Sequence, residues 1–250
     1  MSSFTPAFAL ALLAATTATS ACGQSQMATA NGQETGPSRE ALDRRDRSNA
    51  VMRAEGVPML ASLPVIETEA ETTLPTAEEV TMRAIATIAV ASKGISATDK
   101  DVEALVRKFG LSAYLSPKER AFLAEAHPTR QQLVAFSWRF ESAYVLLWSV
   151  GLIDKLGDVR ESYDPAPMFA LLNDNSRSQL LAKAELRSKR EILDQADLIY
   201  RYRWALVDAD AGGRPAPAGL NGDVAMERHQ ALNWLIYHAE QEWDEVSLDT

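Results

Sequence analysis

The sequence predicts an all-α fold, a single domain of about eight helices behind a disordered leader and tether. Three observations carry this. Helix-start signals recur along the chain, each followed by apolar residues at steps of three and four. Gly stands where several of those runs stop. Alternating apolar–polar runs are scarce, and "LPVIETEAETT", residues 63–73, is the one plausible extended piece.

Taken in order, residues 1–22 read as a signal peptide, 23–45 as a flexible linker and 46–250 as the helical domain. The leader, "MSSFTPAFALALLAATTATSAC", carries no charged side chain and holds an unbroken apolar run of nine from Ala7 to Ala15. Such a run suits a signal core and is well short of the roughly 20 residues a membrane span needs. The following linker is rich in Gly, Ser, Gln and Ala and buries too little to offset its ordering entropy. From about Arg47 the pattern is helical. Thr76-Ala77-Glu78-Glu79 forms a capping box, and the helix it opens should stop at Gly94. Thr98 opens the next, with Val102, Leu105, Val106 and Phe109 as its apolar stripe and Gly110 as its end. Ser116-Pro117-Lys118-Glu119 joins an N-cap, a first-turn Pro and a capping Glu. Thr129 begins a long helix past Trp138 and Trp148 toward Gly157. Ser188-Lys189-Arg190-Glu191 caps another; a Pro/Gly loop spans 210–223, and a final helix runs from about Val224 to Glu240.

Composition narrows the function classes. The net charge of −9, with no basic run, argues against a nucleic-acid binder, which needs excess Lys and Arg to displace condensed counterions. Cys22 is the only cysteine, so intramolecular disulfides, thiolate zinc sites and Cys nucleophiles in the folded domain are excluded. Its setting, Thr19-Ser20-Ala21-Cys22 after the apolar run, resembles a bacterial lipobox, which implies lipidation of Cys22 and membrane attachment facing the periplasm. Thr19 departs from the usual Leu and no Lys or Arg precedes the run, so a secreted or periplasmic soluble chain is the alternative.

The segment "SKREILDQADLIYRYRWALVDAD" places Arg190, Asp194, Asp197, Arg201, Trp204 and Asp208 on one helical face, within about 40 degrees of Arg190. Apolar residues flank that strip on both sides, which predicts charges lying in a cleft or paired internally. In "FSWRFESAYVLLWSVGLI", Glu141 shares a face with Trp138, Tyr144 and Trp148 and needs a cation; Arg190, Arg201 and Arg228 are candidates. In "ERHQALNWLIYH", His229 and Asn233 are one turn apart and Glu227 faces Trp234. Two readings follow: Arg–carboxylate networks that brace the docking of helices, or a catalytic cleft with Glu141, Asp194 or Asp197 as general base and His229 as proton carrier.

Other chemistries fail on spacing. The three histidines show no HExxH or paired helical spacing, so no metal site is expected, and no cofactor. Asp208-Ala-Asp210-Ala-Gly-Gly begins like a calcium loop, but Gly212 and Gly219 occupy ligand positions. GxSxG, P-loop and GxGxxG patterns are missing, and the five tryptophans suit a core better than a sugar platform.

"RSNAVMRAEGVPMLASLPVIE", "EEVTMRAIA", "LSPKERAFL" and "FSWRFESAYVLLWSVGLIDKL", then "RSKREILDQADLIYRYRWALVDA", "ERHQALNWLI" and "WDEVSLDT", resemble a bacterial family known as domain of unknown function 4272. The likeness covers about residues 46–250 and implies one α-helical domain. It implies no activity, so no catalytic roles carry over. The expectation is an envelope lipoprotein whose domain binds a protein or small-molecule partner through Arg190, Arg201, Trp204, Asp208, Glu227, Arg228 and Asn233. The alternative is a metal-independent hydrolase or lyase.

Overall fold

The computed structural model describes residues 36–95, 98–237 and 240–250, and they form a helical domain with no strand among them. The leader, Cys22 and the first part of the linker lie outside the described residues. No helix among the described residues is long and apolar enough to cross a membrane.

The helices are α1 (Arg39–Glu55), α2 (Ala77–Ile95), α3 (Asp99–Phe109), α4 (Pro117–Ala124) and α5 (Arg130–Ser137). They continue with α6 (Arg139–Ser149), α7 (Ala166–Asp174), α8 (Arg177–Lys183), α9 (Lys189–Ala211) and α10 (Gly222–Ile236). The centre is α2, buried continuously from Val80 to Lys93. Most of that run is apolar, and α2 is enclosed by α3, α5 and α6. Its hydroxyls add no buried orphan donors: Thr81, Thr87 and Ser92 each donate to the carbonyl one turn back, at 2.6 to 2.8 Å. Outward from α2 the order is α6, α10, α9 and α1.

The capping boxes form as the sequence requires at Thr76, Thr98, Ser116, Thr129 and Ser188. Several boundaries differ, each for a physical reason. Helix α1 starts at Arg39, inside the stretch expected to be linker, because Ser38 caps it. Gly94 does not end α2. A Cβ there would stand 2.6 Å from Ser137 N and 2.9 Å from Leu133 O, so this glycine lets the α5 backbone touch α2. The long helix expected from Thr129 breaks at Trp138, next to Ser137, whose hydroxyl turns back to Val134 O at 2.7 Å. Its second half ends at Gly151 rather than Gly157. Gly151 has φ 69°, Gly151 N–H donates to Trp148 O and Leu152 N–H to Leu147 O, a Schellman closure. Helix α10 begins at Gly222 under an Asn221 cap and stops at Ile236, before Glu240.

The expected extended piece, 63–73, forms no strand. Its carbonyls are met by cations instead of a neighbouring strand. Arg44 donates to Glu67 O, Lys189 to Glu69 O and Thr72 O, and Arg201 to Pro64 O. This segment is thereby strapped across α1 and α9.

Candidate functional site

The charged face of α9 does not form one cleft. Asp197 and Arg201 close on each other through two 2.8 Å hydrogen bonds and are 0% and 1% exposed. Asp194, a third exposed, turns to α1, where Arg47 lies 2.6 Å away and Arg44 3.3 Å. Arg190 is largely exposed and reaches Asp194 only at 3.9 Å. Asp208 pairs with Arg214 of the following loop at 2.5 Å, and Trp204 packs half-buried against the core. These side chains share a face, but they are divided among three neighbours.

A second cluster joins α6 to α10. Arg228 donates to Glu141 Oε2 at 3.0 Å and to Gly157 O at 2.6 Å, while Tyr163 N–H donates to Glu141 Oε1 at 2.5 Å. The Arg228 guanidinium lies over the Tyr144 ring, 5.4 Å from its centre. Glu227 accepts from Ser142 at 2.6 Å and faces Arg139 at 3.3 Å; burial pushes its carboxyl up, against the pull of those two partners. Each carboxylate here has a cation and is closed off. Arg228 is therefore the partner Glu141 required, and Arg190 and Arg201 serve other carboxylates.

The open chemistry lies elsewhere, over His229. A cavity of about 290 Å³ sits between α9, α10 and the 64–66 segment. His229 and Asn233 of α10 line it together with Tyr237 and Gln241 beyond the end of that helix, and Tyr200 faces them from α9. The C-terminal tail forms the remaining wall with Ser247 and Asp249. The tail is latched in place: Asn233 donates to Ser247 O, Ser247 N–H to Gln241 Oε1, and Gln230 to Trp243 O, all at 2.7 to 2.8 Å. Trp243 packs edge-on to Trp234 and lies under the Arg83 guanidinium. Asp244 accepts from Ser116 Oγ and Lys118 N–H, tying the tail to the start of α4. The "WDEVSLDT" stretch thus completes both the core and the cavity wall.

His229 is 1% exposed, its Nδ1 has no hydrogen-bond partner, and its ring lies 6.1 Å from that of Tyr200. Burial, aided by the Arg203 charge, holds its pKa down at about 4. A neutral imidazole beside a cation, with no carboxylate hydrogen-bonded to it among the described residues, suits hydrogen-bond recognition better than proton transfer near pH 7. The same burial gives a pH signature. The unfolded imidazole takes its proton near pH 6.5 and the folded one only near 4, so the unfolded chain binds the extra proton in between. The stability owed to His229 is whole above about pH 6.5 and falls as the pH drops. Urea unfolding at pH 7.5 and 5.0 should differ by about 2 kcal/mol from this residue, a difference that His229→Gln removes.

Sequence reasoning found His229 and Asn233 but missed Tyr200, Tyr237, Gln241 and Ser247. The four-residue stripe beyond Asn233 was the available signal; the contribution of Tyr200 and the tail needed the fold. Among the described residues no group of three or more His, Cys, Asp or Glu converges as metal ligands would.

The architecture defines a helical domain with closed ion pairs inside and one polar cavity walled by its own C-terminal tail. The chain belongs to the family described as domain of unknown function, DUF4272, which matches residues 44–246. No curated protein and no solved structure matches it.

Proposed function

We propose that the chain is an envelope lipoprotein, attached through Cys22, whose helical domain is a binding module for a small uncharged ligand rich in hydrogen-bonding groups. The observation that carries the binding half is the cavity over His229. Tyr200, Asn233, Tyr237, Gln241 and Ser247 line it with neutral donors and acceptors, and Asp249 is its one charged side chain. Its volume of about 290 Å³ is at the small end for ligand sites. The Tyr200 hydroxyl has no partner among the described residues and is free to receive one. Ligand-observed NMR with neutral sugars, primary amides and nucleobases tests this reading. At least one class should bind, and Tyr200→Phe should weaken it about two- to tenfold, the worth of one hydrogen bond. A set without any binder, or equal binding to the variant, contradicts the proposal.

The attachment half is supported by the uncharged apolar run before Cys22 and by the position of that lone cysteine outside the family domain. Intact mass of the membrane fraction should show a chain beginning at lipid-modified Cys22. A chain starting at unmodified residue 22, or retaining Met1, contradicts it and leaves a secreted or periplasmic protein.

A further inference from the structure

A second cavity, of about 340 Å³, lies at the C-terminal end of α9. Its wall is apolar where Leu206, Val207 and Ala209 line it, and Arg203 contributes a guanidinium. Arg203 is half-buried, and its Nε is buried with no hydrogen-bond partner. No carboxylate lies within ion-pair distance of it among the described residues, and the neighbouring His229 is neutral, so none of the described residues balances its charge. Buried cations are ordinarily paired, as Arg201 and Arg228 are here. The other cation at the cavity, Arg214, is already held by Asp208 at 2.5 Å. Asp210 stands on the rim, close to the negative end of the α9 dipole.

We propose that this cavity binds a small monocarboxylate with an aliphatic body. The carboxylate takes the unpaired Arg203 guanidinium, whose planar fork matches it, and the hydrocarbon lies along Leu206 and Val207. One free cation balances one negative charge. With Asp210 nearby, a dianion such as phosphate gains less than it loses by repulsion. No residue lines both this cavity and the one over His229, and a result at either leaves the other standing.

The test is isothermal titration of the full domain at pH 7 and fixed ionic strength with hexanoate, hexanamide and inorganic phosphate. Hexanoate should bind; hexanamide, lacking the charge, should bind about tenfold more weakly or not at all. Arg203→Gln should abolish hexanoate binding while melting no lower than the parent, since it removes an uncompensated cation. Val207→Glu, at a residue 44% exposed, should also abolish binding with Arg203 intact. Failure of hexanoate to bind the parent chain, or unchanged binding to Arg203→Gln or Val207→Glu, overturns the proposal. Phosphate or hexanamide binding as tightly as hexanoate overturns the assignment of a monocarboxylate.

Discussion

Replacing Glu141 by alanine should cost the fold about 3–5 kcal/mol, because the Arg228 guanidinium is then left buried without its carboxylate. Both groups are almost fully enclosed, at 2% and 3% exposure, so water cannot take the place of the missing partner. The loss is compounded at Tyr163, whose N–H donates to the other oxygen of the same carboxylate. Denaturation followed by tryptophan fluorescence gives the free energy directly. A melting experiment should show a fall of about 6–20 °C for a domain of this size. The double replacement Glu141→Leu with Arg228→Met should recover most of that loss, since an apolar pair of similar volume leaves no charge uncompensated. A single variant that loses less than about 1 kcal/mol would show that the pair is not a brace between α6 and α10.

The helical class and most helix starts were legible because capping is local chemistry: Thr98, Ser116 and Ser188 bond the third residue onward whatever surrounds them. The start of α1 was not legible. Its buried face is Ala41, Arg44, Ser48 and Met52, a polar stripe that looks like linker until Asp194 and Glu67 supply its partners. Gly94 and Gly157 misled for a related reason. A glycine signals either a left-handed stop or a close approach, and only the packed neighbours tell which. Here the stop was Gly151 and the close approach Gly94.

Of the candidate site, the sequence singled out the charged residues but not how the fold divides them. Helical geometry puts Arg190, Asp194, Asp197, Arg201 and Asp208 on one face, but exposure varies from 0% at Asp197 to 64% at Arg190 along that face. Three different partners meet it: α1, the 57–76 segment, and the loop after α9. A periodicity argument sees the face and not what covers each turn of it. Glu119 shows the same limit. Its place in the capping box was readable, but its hydrogen bonds to the buried Arg83 of α2 were not.

The division between closed braces and open cavities predicts opposite behaviour for residues of similar chemistry. Removing Tyr200 hydroxyl or Arg203 charge should leave the fold intact, whereas removing a paired charge should not. Asp197 is the sharpest case, being wholly buried, doubly bonded to Arg201 and absent from the wall of either cavity. Asp197→Asn keeps the shape and takes away only the charge. The melting midpoint of this variant is therefore the most direct test of the account. A fall of at least about 6 °C, from about 3 kcal/mol of uncompensated Arg201 charge, is the result expected. An unchanged or higher midpoint would contradict the bracing account.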